Sequence, residues 1–282
     1  MNVLSLFDGM SCGQIALNRI GIKYDNYFAS EIEVPSINVT MNNYPNTIQL
    51  GDICKVDGYK LPKIDLLIGG SPCQDISNLN NFKLGLDGEK SSLFYQYYRL
   101  LKEINPKYFL LENVNGNKKA IDTITSLLGV KPLRLDSRLV SAQTRDRLYW
   151  TNIKVTDIPK NKHLGLVDIL ETNVDEKYFL AGSRQKWLCG EGGKSCIRKS
   201  FASLDPPKAG CLTKRGDASW NCTYVTEKDG RIRILTPVEW ERLQTVPDNY
   251  TSCVSDKHRY AMLGNGWTVD IIAHIFKYIK LA

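Results

Sequence analysis

The 282-residue sequence predicts an α/β protein in which an open sheet is joined to a smaller, loop-rich domain. Short, fully apolar runs such as residues 64–68 are typical of strands buried on both faces of a parallel sheet. These runs alternate with segments whose apolar residues recur at helical spacing, which favours the α/β class. The composition changes near Thr156, where glycine, proline and basic residues begin to interrupt short patterned segments. We therefore expect one domain from residues 1–155 together with 254–282, and a second from residues 156–253.

The elements of the first domain follow from apolar patterning, in chain order. A strand at residues 3–7 leads through a glycine-containing turn into a helix that ends at Gly21, because glycine commonly terminates helices. Further apolar runs predict strands at residues 27–30, 64–68 and 108–111, and helices at residues 93–104 and 269–279. We expect the last helix to pack back onto the first domain.

Composition excludes several classes of protein. The chain is 43% hydrophobic and 24% charged, and no apolar run approaches the roughly 18 residues of a membrane helix. The first residues lack the basic region of a secretory signal, and the eight cysteines include no CxxC pair. We expect reduced thiols in a cytoplasmic protein with no membrane partner.

The formal net charge of +7 is concentrated in one stretch of the chain. Between Ser183 and Gly216, eight basic residues stand against two acidic ones. The basic residues are Arg184, Lys186, Lys194, Arg198, Lys199, Lys208, Lys214 and Arg215. Such a strip suits a polyanion such as nucleic acid, and a solvated lysine-rich face is the alternative.

Several polar residues follow predicted strands, where ligands bind in open α/β sheets. Gly9 and Gly13 form the first turn, but they do not make the GxGxxG of dinucleotide-binding enzymes. Glu31 ends the next strand and is suited to both hydroxyls of a ribose, while Asp52 is suited to the exocyclic amine of an adenine. The sequence thus describes an adenosine pocket without a phosphate cradle, and ordinary surface acids on loops are the alternative.

The later strands are followed by reactive side chains. Cys73 lies beyond an apolar run on a loop stiffened by Pro72, so it is a candidate nucleophile rather than a core cysteine. Glu112 ends the neighbouring strand, where apolar surroundings would raise the pKa of its carboxyl toward that of a proton donor. Arg145 and Arg147 are two residues apart, so an extended strand would place them on one face as a fork for carbonyl or phosphate oxygens.

Six segments together resemble the ordered motifs of the DNA (cytosine-5)-methyltransferases. They are Leu6-Phe-Asp-Gly-Met-Ser-Cys-Gly13, Gly-Ser-Pro-Cys-Gln at 70–74, Glu112-Asn-Val114, Gln143-x-Arg-x-Arg147, Leu235-Thr-Pro-x-Glu239 with Arg242-Leu-Gln244, and Gly264-Asn265. They follow the order of the family and span residues 3–276. The first turn, the segment from Gly85 and Gly264-x-x-Trp267 are similar to the mammalian de novo branch. Where the family commonly has Ser and Val after Gly-Asn, this chain has Gly266 and Trp267.

The resemblance implies a Rossmann-like, S-adenosylmethionine-dependent methyltransferase sheet with a small target-recognition domain. It implies a DNA (cytosine-5-)-methyltransferase that needs no metal, whose catalytic residues are Cys73, Glu112, Arg145 and Arg147. The implied cofactor residues are Phe7, Asp8, Gly9, Gly13, Glu31, Ile32, Asp52, Ile53, Pro72, Leu93, Asn265 and Trp267. The DNA-binding residues are expected to be Gln74, Gln143, Lys194, Arg198, Lys199, Lys214 and Arg215.

By the same resemblance, the Cys73 thiolate attacks C6 of cytosine while Glu112 interacts with N3, and C5 then accepts the methyl group. Arg147 holds O2 of the cytosine and Arg145 supports the nucleophile loop. The target carbon is hidden in double-stranded DNA, so the base has to be flipped out. The domain at residues 156–253 is the candidate for holding the DNA.

Three other interpretations remain open at this stage. The first is an RNA cytosine-5 methyltransferase acting on tRNA, although the Cys-Phe-Thr tripeptide expected of that branch is absent. The second is a catalytically inactive DNA-binding relative. The third is a zinc module, but Cys189, Cys196, Cys211 and Cys222 are spaced by 7, 15 and 11 positions, unlike structural zinc sites. A prokaryotic or phage origin, a monomer and a cognate restriction endonuclease as partner are further expectations.

Overall fold

The computed structural model describes residues 1–72, 93–189, 203–214 and 222–280. Two compact units are distinguished by the packing of the chain. The first unit comprises Met1–Asp136, Asp146–Ile158 and Val269–Ala282, and the second comprises Ser137–Arg145 and Pro159–Thr268. The second unit therefore includes residues 137–145 and 254–268, which the sequence analysis assigned to the first domain.

A seven-stranded sheet forms the centre of the first unit, in the order β3-β2-β1-β4-β5-β7-β6. Its strands are β1 (Asn2–Leu6), β2 (Asn26–Ser30), β3 (Ile48–Gln49), β4 (Leu66–Gly70), β5 (Tyr108–Val114), β6 (Leu133–Asp136) and β7 (Asp146–Thr151). Strands β1 to β5 pair in parallel, whereas β7 runs antiparallel to both β5 and β6. The parallel register brings the carboxyl ends of β1 to β5 to one edge of the sheet.

The described residues contain eight α-helices. In chain order they are α1 (Cys12–Arg19), α2 (Val34–Asn43), α3 (Phe94–Ile104), α4 (Lys118–Leu128), α5 (Gly182–Cys189), α6 (Pro237–Leu243), α7 (Asp256–Asn265) and α8 (Val269–Phe276). Helices α1 and α8 pack against each other within the first unit. On α3 the buried residues are Phe94, Tyr97 and Leu100, and this spacing produces the single apolar face that the sequence predicts.

The second unit contains a three-stranded sheet in the order β10-β9-β8. Its strands are β8 (Ser203–Leu204), β9 (Thr223–Thr226) and β10 (Ile232–Ile234). Arg233 on β10 is fully buried. Its two terminal nitrogens donate hydrogen bonds to the two carboxylate oxygens of Glu239 on α6, and both N···O distances are 2.8 Å. Such a pair is stable inside a protein only with good geometry and further hydrogen bonds, and Glu239 also accepts from the backbone N–H of Thr236 at 2.8 Å.

The α/β prediction is confirmed, and each predicted strand of the first half has a counterpart within a few residues. The strand expected at residues 64–68 is shifted to Leu66–Gly70, and the strand expected to end at residue 111 continues through Glu112 to Val114. The last helix packs on the first unit as expected. In the described ranges, no helix has the length and apolar character needed to cross a membrane.

Candidate active site

The turn after β1 is built from left-handed backbone. Phe7, Gly9 and Ser11 have φ angles of 56°, 59° and 63°. Left-handed backbone costs free energy for residues other than glycine, so this turn is held by surrounding contacts rather than by local preference. Gly13 permits the close approach of α1 to the sheet, because a Cβ atom there would lie 2.4 Å from Ile68 Cδ1 and 2.6 Å from the Tyr27 hydroxyl. The turn and the helix that follows are therefore seated directly on β2 and β4.

Glu31 closes this turn from the end of β2. Its Oε2 accepts a hydrogen bond from the Gly9 backbone N–H at 2.8 Å. Its Oε1 accepts from the backbone N–H groups of Ile32 and Glu33 at 2.7 and 2.8 Å. The carboxylate is thus fixed in one orientation at the carboxyl edge of the sheet, and a carboxylate can accept further hydrogen bonds from hydroxyl groups.

Asp52 follows β3, next to Gly51, whose carbonyl accepts from Ser30 Oγ at 2.7 Å. The Asp52 carboxylate accepts from the Cys54 backbone N–H at 2.9 Å and so caps the short 3₁₀ helix Ile53–Lys55. The Ile53 side chain is buried. Asp52 therefore serves a local structural purpose as well as being available to a ligand at this edge.

Two charged residues of α3, Arg99 and Glu103, hold the segment after Asp52 and are called the brace below. Arg99 donates to the carbonyl oxygens of Ile53 and Val56 at 3.1 and 3.0 Å. Arg99 also pairs with Glu103 at 2.8 Å, and Glu103 accepts from the Gly58 backbone N–H at 2.9 Å. The sequence analysis did not identify Arg99 or Glu103, although their spacing of four on a predicted helix indicates an ion pair.

Apolar side chains are exposed beside the Glu31 carboxylate. Ile32 is 69% exposed and Val34 is 63% exposed. Phe7 and Leu93, also predicted at the site, are partly buried and pack against the core of the first unit. Exposed aliphatic groups next to a fixed carboxylate suit a ligand with a flat apolar ring and a pair of hydroxyls.

Asn113 on β5 holds the segment that leads to Cys73. Its amide nitrogen donates to Ser71 Oγ at 3.0 Å and to the Ser71 carbonyl at 3.3 Å, and both residues are buried. Pro72 follows and is partly buried. Cys73 and Gln74 lie outside the described residues, so their predicted roles rest on the resemblance alone.

Glu112 and Arg147 form an ion pair between neighbouring strands. Arg147 Nε lies 3.0 Å from Glu112 Oε1, and the two side chains are 13% and 10% exposed. The antiparallel pairing of β5 with β7 sets Arg147 opposite Val114. Because β7 is antiparallel, its first residues lie at the edge where β5 ends, so the pair stands at the same edge as Ser71.

Arg145 makes its described contacts within the second unit. It precedes β7 and belongs to the second unit, where its guanidinium donates to the carbonyls of Leu212 at 3.0 Å, Gly264 at 3.3 Å and Gly266 at 2.8 Å. The expectation that Arg145 and Arg147 form a two-pronged fork is therefore wrong, because β7 starts at Asp146 and the two guanidinium groups bind different partners. Through these contacts, Arg145 links the backbone at Leu212 to the backbone at Gly264 and Gly266 within the second unit.

Gln143 is likewise an interior residue. It is fully buried, and its amide nitrogen donates to the Leu243 carbonyl at 2.6 Å and to Gln244 Oε1 at 2.9 Å. The expectation that Gln143 contacts DNA is corrected, since the side chain has no exposed surface. Gln244 in turn donates to the Leu263 and Gly266 carbonyls at 2.6 and 3.1 Å, so these two glutamines join distant motifs of the second unit.

The basic strip is described only in part. Arg184, Lys186 and Lys214 are exposed. Lys208 donates to the carbonyls of Arg138, Ser141 and Leu164 at 3.0, 2.8 and 2.5 Å, so its ammonium group joins three backbone segments of the second unit. The expected DNA contacts that lie outside the described residues are Lys194, Arg198, Lys199 and Arg215.

Two predicted cofactor residues fall in the second unit. Asn265 is the exposed last residue of α7, and Trp267 is half-buried. Gly264 beside them is required sterically, because a Cβ atom there would lie 2.3 Å from the carbonyl group of Thr213 and 2.7 Å from the Lys214 nitrogen. Among the residues that the structure describes, no three His, Cys, Asp or Glu side chains are grouped to hold a metal ion.

Comparison with known proteins identifies a family model that covers nearly the whole chain. The model for the C-5 cytosine-specific DNA methylases matches residues 1–178 and 117–281. An orphan methyltransferase of Bacillus phage SPR, M.SPRI, is 34% identical over 251 residues, covering 71% of this chain and 57% of that protein. The type II methyltransferase M1.ScrFI of Lactococcus lactis subsp. cremoris is 29% identical over 297 residues, covering 96% of this chain and 75% of that protein. This chain thus spans little more than half of the phage protein.

Solved structures agree on the fold. The Entamoeba histolytica methyltransferase EhMeth superposes with a TM-score of 0.80 at 18% identity, covering 99% of this chain and 97% of that one. The Dnmt2 methyltransferase of S. pombe superposes with a TM-score of 0.74 at 19% identity, covering 98% and 97%. At such identities the likeness establishes the architecture and no more.

Proposed function

Because the chain belongs to the C-5 cytosine-specific DNA methylase family, we propose that it transfers a methyl group from S-adenosylmethionine to C5 of cytosine in double-stranded DNA. The observation that carries the proposal is the pairing of Glu112 with Arg147 at 3.0 Å, next to the strand end that leads into Cys73. A proton-donating carboxyl, a guanidinium and a nucleophilic thiol are the groups that this chemistry needs.

S-adenosylmethionine would be held at the carboxyl ends of β1, β2 and β3. The residues fit it on three observations: the oriented Glu31 carboxylate, the exposed Ile32 side chain, and the buried Asp8 Oδ2, which has no hydrogen-bond partner among the described residues. In this proposal Glu31 accepts the ribose hydroxyls and Asp52 the adenine amine. When bound, the cofactor supplies an electrophilic methyl group.

Cytosine C5 is a weak nucleophile until C6 is attacked. In the proposal the Cys73 thiolate forms a bond from Sγ to C6, and the electron pair of the C5–C6 double bond becomes available at C5. Protonated Glu112 donates its proton to N3, which stabilises the adduct. After C5 is methylated, a water molecule takes the C5 proton, and the electron pair of the C5–H bond restores the C5–C6 double bond and expels the thiolate. N3 then returns its proton to Glu112. Arg147 orients Glu112 and, in the proposal, donates to O2 of the cytosine.

We propose that the second unit recognises the DNA. The exposed Arg184, Lys186 and Lys214 supply positive charge there, and contacts to phosphate position a protein on a duplex. The base has to leave the helix before its C6 can be attacked. The similarity to a phage orphan methyltransferase and to a bacterial type II methyltransferase supports a phage or restriction-modification setting, and a cognate endonuclease is part of this proposal.

A methyl-transfer assay tests the activity. Wild type and Cys73→Ala are incubated with radiolabelled S-adenosylmethionine and either duplex DNA or tRNA. We expect label in the cytosines of DNA with wild type only, and a denaturation-resistant adduct with DNA containing 5-fluorocytosine, because fluorine at C5 blocks the final elimination. Transfer to tRNA but not to DNA would contradict the proposed substrate. Full turnover by Cys73→Ala would contradict the mechanism.

A further inference from the structure

We propose that the ionised Asp8 side chain makes the cofactor site favour the positively charged sulfonium of S-adenosylmethionine over the neutral thioether of its product, S-adenosylhomocysteine. This inference rests on the proposed function, because it assumes that the turn after β1 holds that cofactor. The resemblance implies that Asp8 is a cofactor residue, and the inference adds what the charge of its side chain does.

Asp8 carries a buried carboxyl with incomplete hydrogen bonding. The residue is 9% exposed, and its Oδ1 accepts from the Tyr27 hydroxyl at 2.9 Å. Its Oδ2 is buried without a hydrogen-bond partner in the described ranges of the chain. Glu31, by comparison, accepts from three backbone N–H groups. A buried polar atom without a partner is costly, and a cation brought near the turn would offset that cost.

The position of Asp8 is set by the same turn that bonds to Glu31. The Asp8 backbone N–H donates to the Ser30 carbonyl at 3.2 Å, and its own carbonyl accepts from the Ser11 N–H at 3.1 Å. The next residue, Gly9, donates to Glu31. A negative charge at Asp8 is therefore built into the backbone loop of the proposed site, where burial reduces screening by solvent and salt.

The titratable groups around Asp8 are Tyr27, Tyr24 and Glu31. Burial raises the pKa of Asp8 to about 6, the neighbouring hydroxyls of Ser5, Tyr27 and Ser11 lower it, and the charge of Glu31 raises it. Burial likewise raises the pKa of Tyr27 well above its ordinary value and that of Tyr24 to about 12, so both phenols are neutral at physiological pH. Asp8 consequently changes from neutral to negative between pH 5 and pH 7.

The two ligands differ by one methyl group and one positive charge, which makes their affinity ratio a measure of local charge. An ionised Asp8 attracts the sulfonium and leaves the thioether unaffected. The preference for S-adenosylmethionine should therefore grow as the pH rises through about 6. A purely structural contribution of Asp8 to the turn would change the affinity for both ligands together.

The test is calorimetric titration of both ligands into the full chain at pH 5.0 and pH 7.5. For wild type we expect the ratio of the two dissociation constants to shift toward S-adenosylmethionine by about tenfold between these pH values, which is the effect of a one-unit change in pKa on binding. In Asp8→Asn the ratio should not change with pH. Glu33→Gln, which removes an exposed carboxylate near the same turn, should behave as wild type.

Tyr27→Phe provides a second variant that keeps the carboxyl. It removes a hydrogen bond that lowers the pKa of Asp8, so the pH midpoint of the ratio should move upward. A wild-type ratio independent of pH, equal weakening of both ligands in Asp8→Asn, or an unshifted midpoint in Tyr27→Phe would overturn the inference. Failure of wild type to bind either ligand would instead overturn the proposed function.

Discussion

The Asn113 amide lies 3.0 Å from Ser71 Oγ and also donates to the Ser71 carbonyl, so β5 is bonded to the residue two positions before Cys73. Glu112 precedes Asn113 on the same strand and pairs with Arg147. Adjacent residues of β5 thus position both the proposed proton donor and the approach to the proposed nucleophile.

Asn113→Ala should lower methyl transfer by about 10- to 100-fold, because a small displacement of a reacting group costs about that much in rate. The proposed cofactor site lies at β1, β2 and β3, so the dissociation constant for S-adenosylhomocysteine should stay within about twofold of wild type. Single-turnover kinetics and calorimetry measure the two quantities. Asn115→Ala is the matched control, since Asn115 is exposed and bonds to Asp146 at 3.1 Å. Equal losses in both variants would contradict the assignment.

Arg147→Ala should both destabilise the protein and abolish methyl transfer. Removal of one partner of a buried ion pair leaves the other charge uncompensated and costs about 3 kcal/mol. The Glu112→Gln, Arg147→Ala double variant should recover part of that stability without recovering activity, because no buried charge remains. Urea denaturation and the methyl-transfer assay separate the two effects. Activity retained in Arg147→Ala would exclude a direct role at the cytosine.

The sequence predicted the strands and the residues that follow them because both depend on local patterning. Apolar runs mark the buried strands. Glu31 directly follows β2, and Asp52 comes three residues after the end of β3. Parallel pairing then brings such residues to one edge, as the hydrogen bond between Gly9 and Glu31 demonstrates. The sequence could therefore place these residues at the edge of the sheet although the order of its strands was unknown.

The misassigned residues depend on partners that are distant in the chain. Gln143 bonds to Leu243, which is 100 positions away, and Arg145 bonds to Gly264 and Gly266, 119 and 121 positions away. The spacing of Arg145 and Arg147 alone suggested one strand face, whereas the strand starts between these two residues. Only the three-dimensional packing of the second unit assigns these polar side chains to its interior.

Gly264→Ala should destabilise the second unit by roughly 1–3 kcal/mol, because the added methyl would overlap backbone atoms of Thr213 and Lys214 that cannot rotate away. DNA affinity should fall with it, since the adjoining Lys214 is one of the proposed contacts. Gly182→Ala is the matched control, because a Cβ atom there meets nothing within 4 Å. Thermal melts and DNA titrations are the measurements, and an unchanged melt for Gly264→Ala would contradict the close approach.

Arg99→Gln should weaken cofactor binding indirectly, because Arg99 acts through the segment after Asp52 and not through contact with the ligand. The change removes the donors to the Ile53 and Val56 carbonyls and so loosens the segment after Asp52. We expect the KM for S-adenosylmethionine to rise about fivefold with kcat unchanged, which is the pattern of lost ground-state binding. In a double-mutant cycle, Arg99→Gln and Asp52→Ala should be coupled, while Lys102→Gln, an exposed neighbour on α3, should show no coupling. Independent effects of Arg99 and Asp52 would contradict the brace.

The buried Asp8 carboxyl should also make stability depend on pH. Its pKa is raised by burial from 3.8 to about 6, so folding favours the protonated form. The contribution is fully present below about pH 4 and is lost as the pH rises through about 6. Relative to Asp8→Asn, the free energy of unfolding of wild type should therefore fall by about 3 kcal/mol between pH 4 and pH 7 and stay constant above that. Urea denaturation of both proteins at half-unit pH steps measures the difference, with Glu33→Gln as the control for an exposed carboxylate. A difference that does not change with pH would mean that folding does not raise the pKa of Asp8, and it would remove the basis for a change in ligand preference near pH 6.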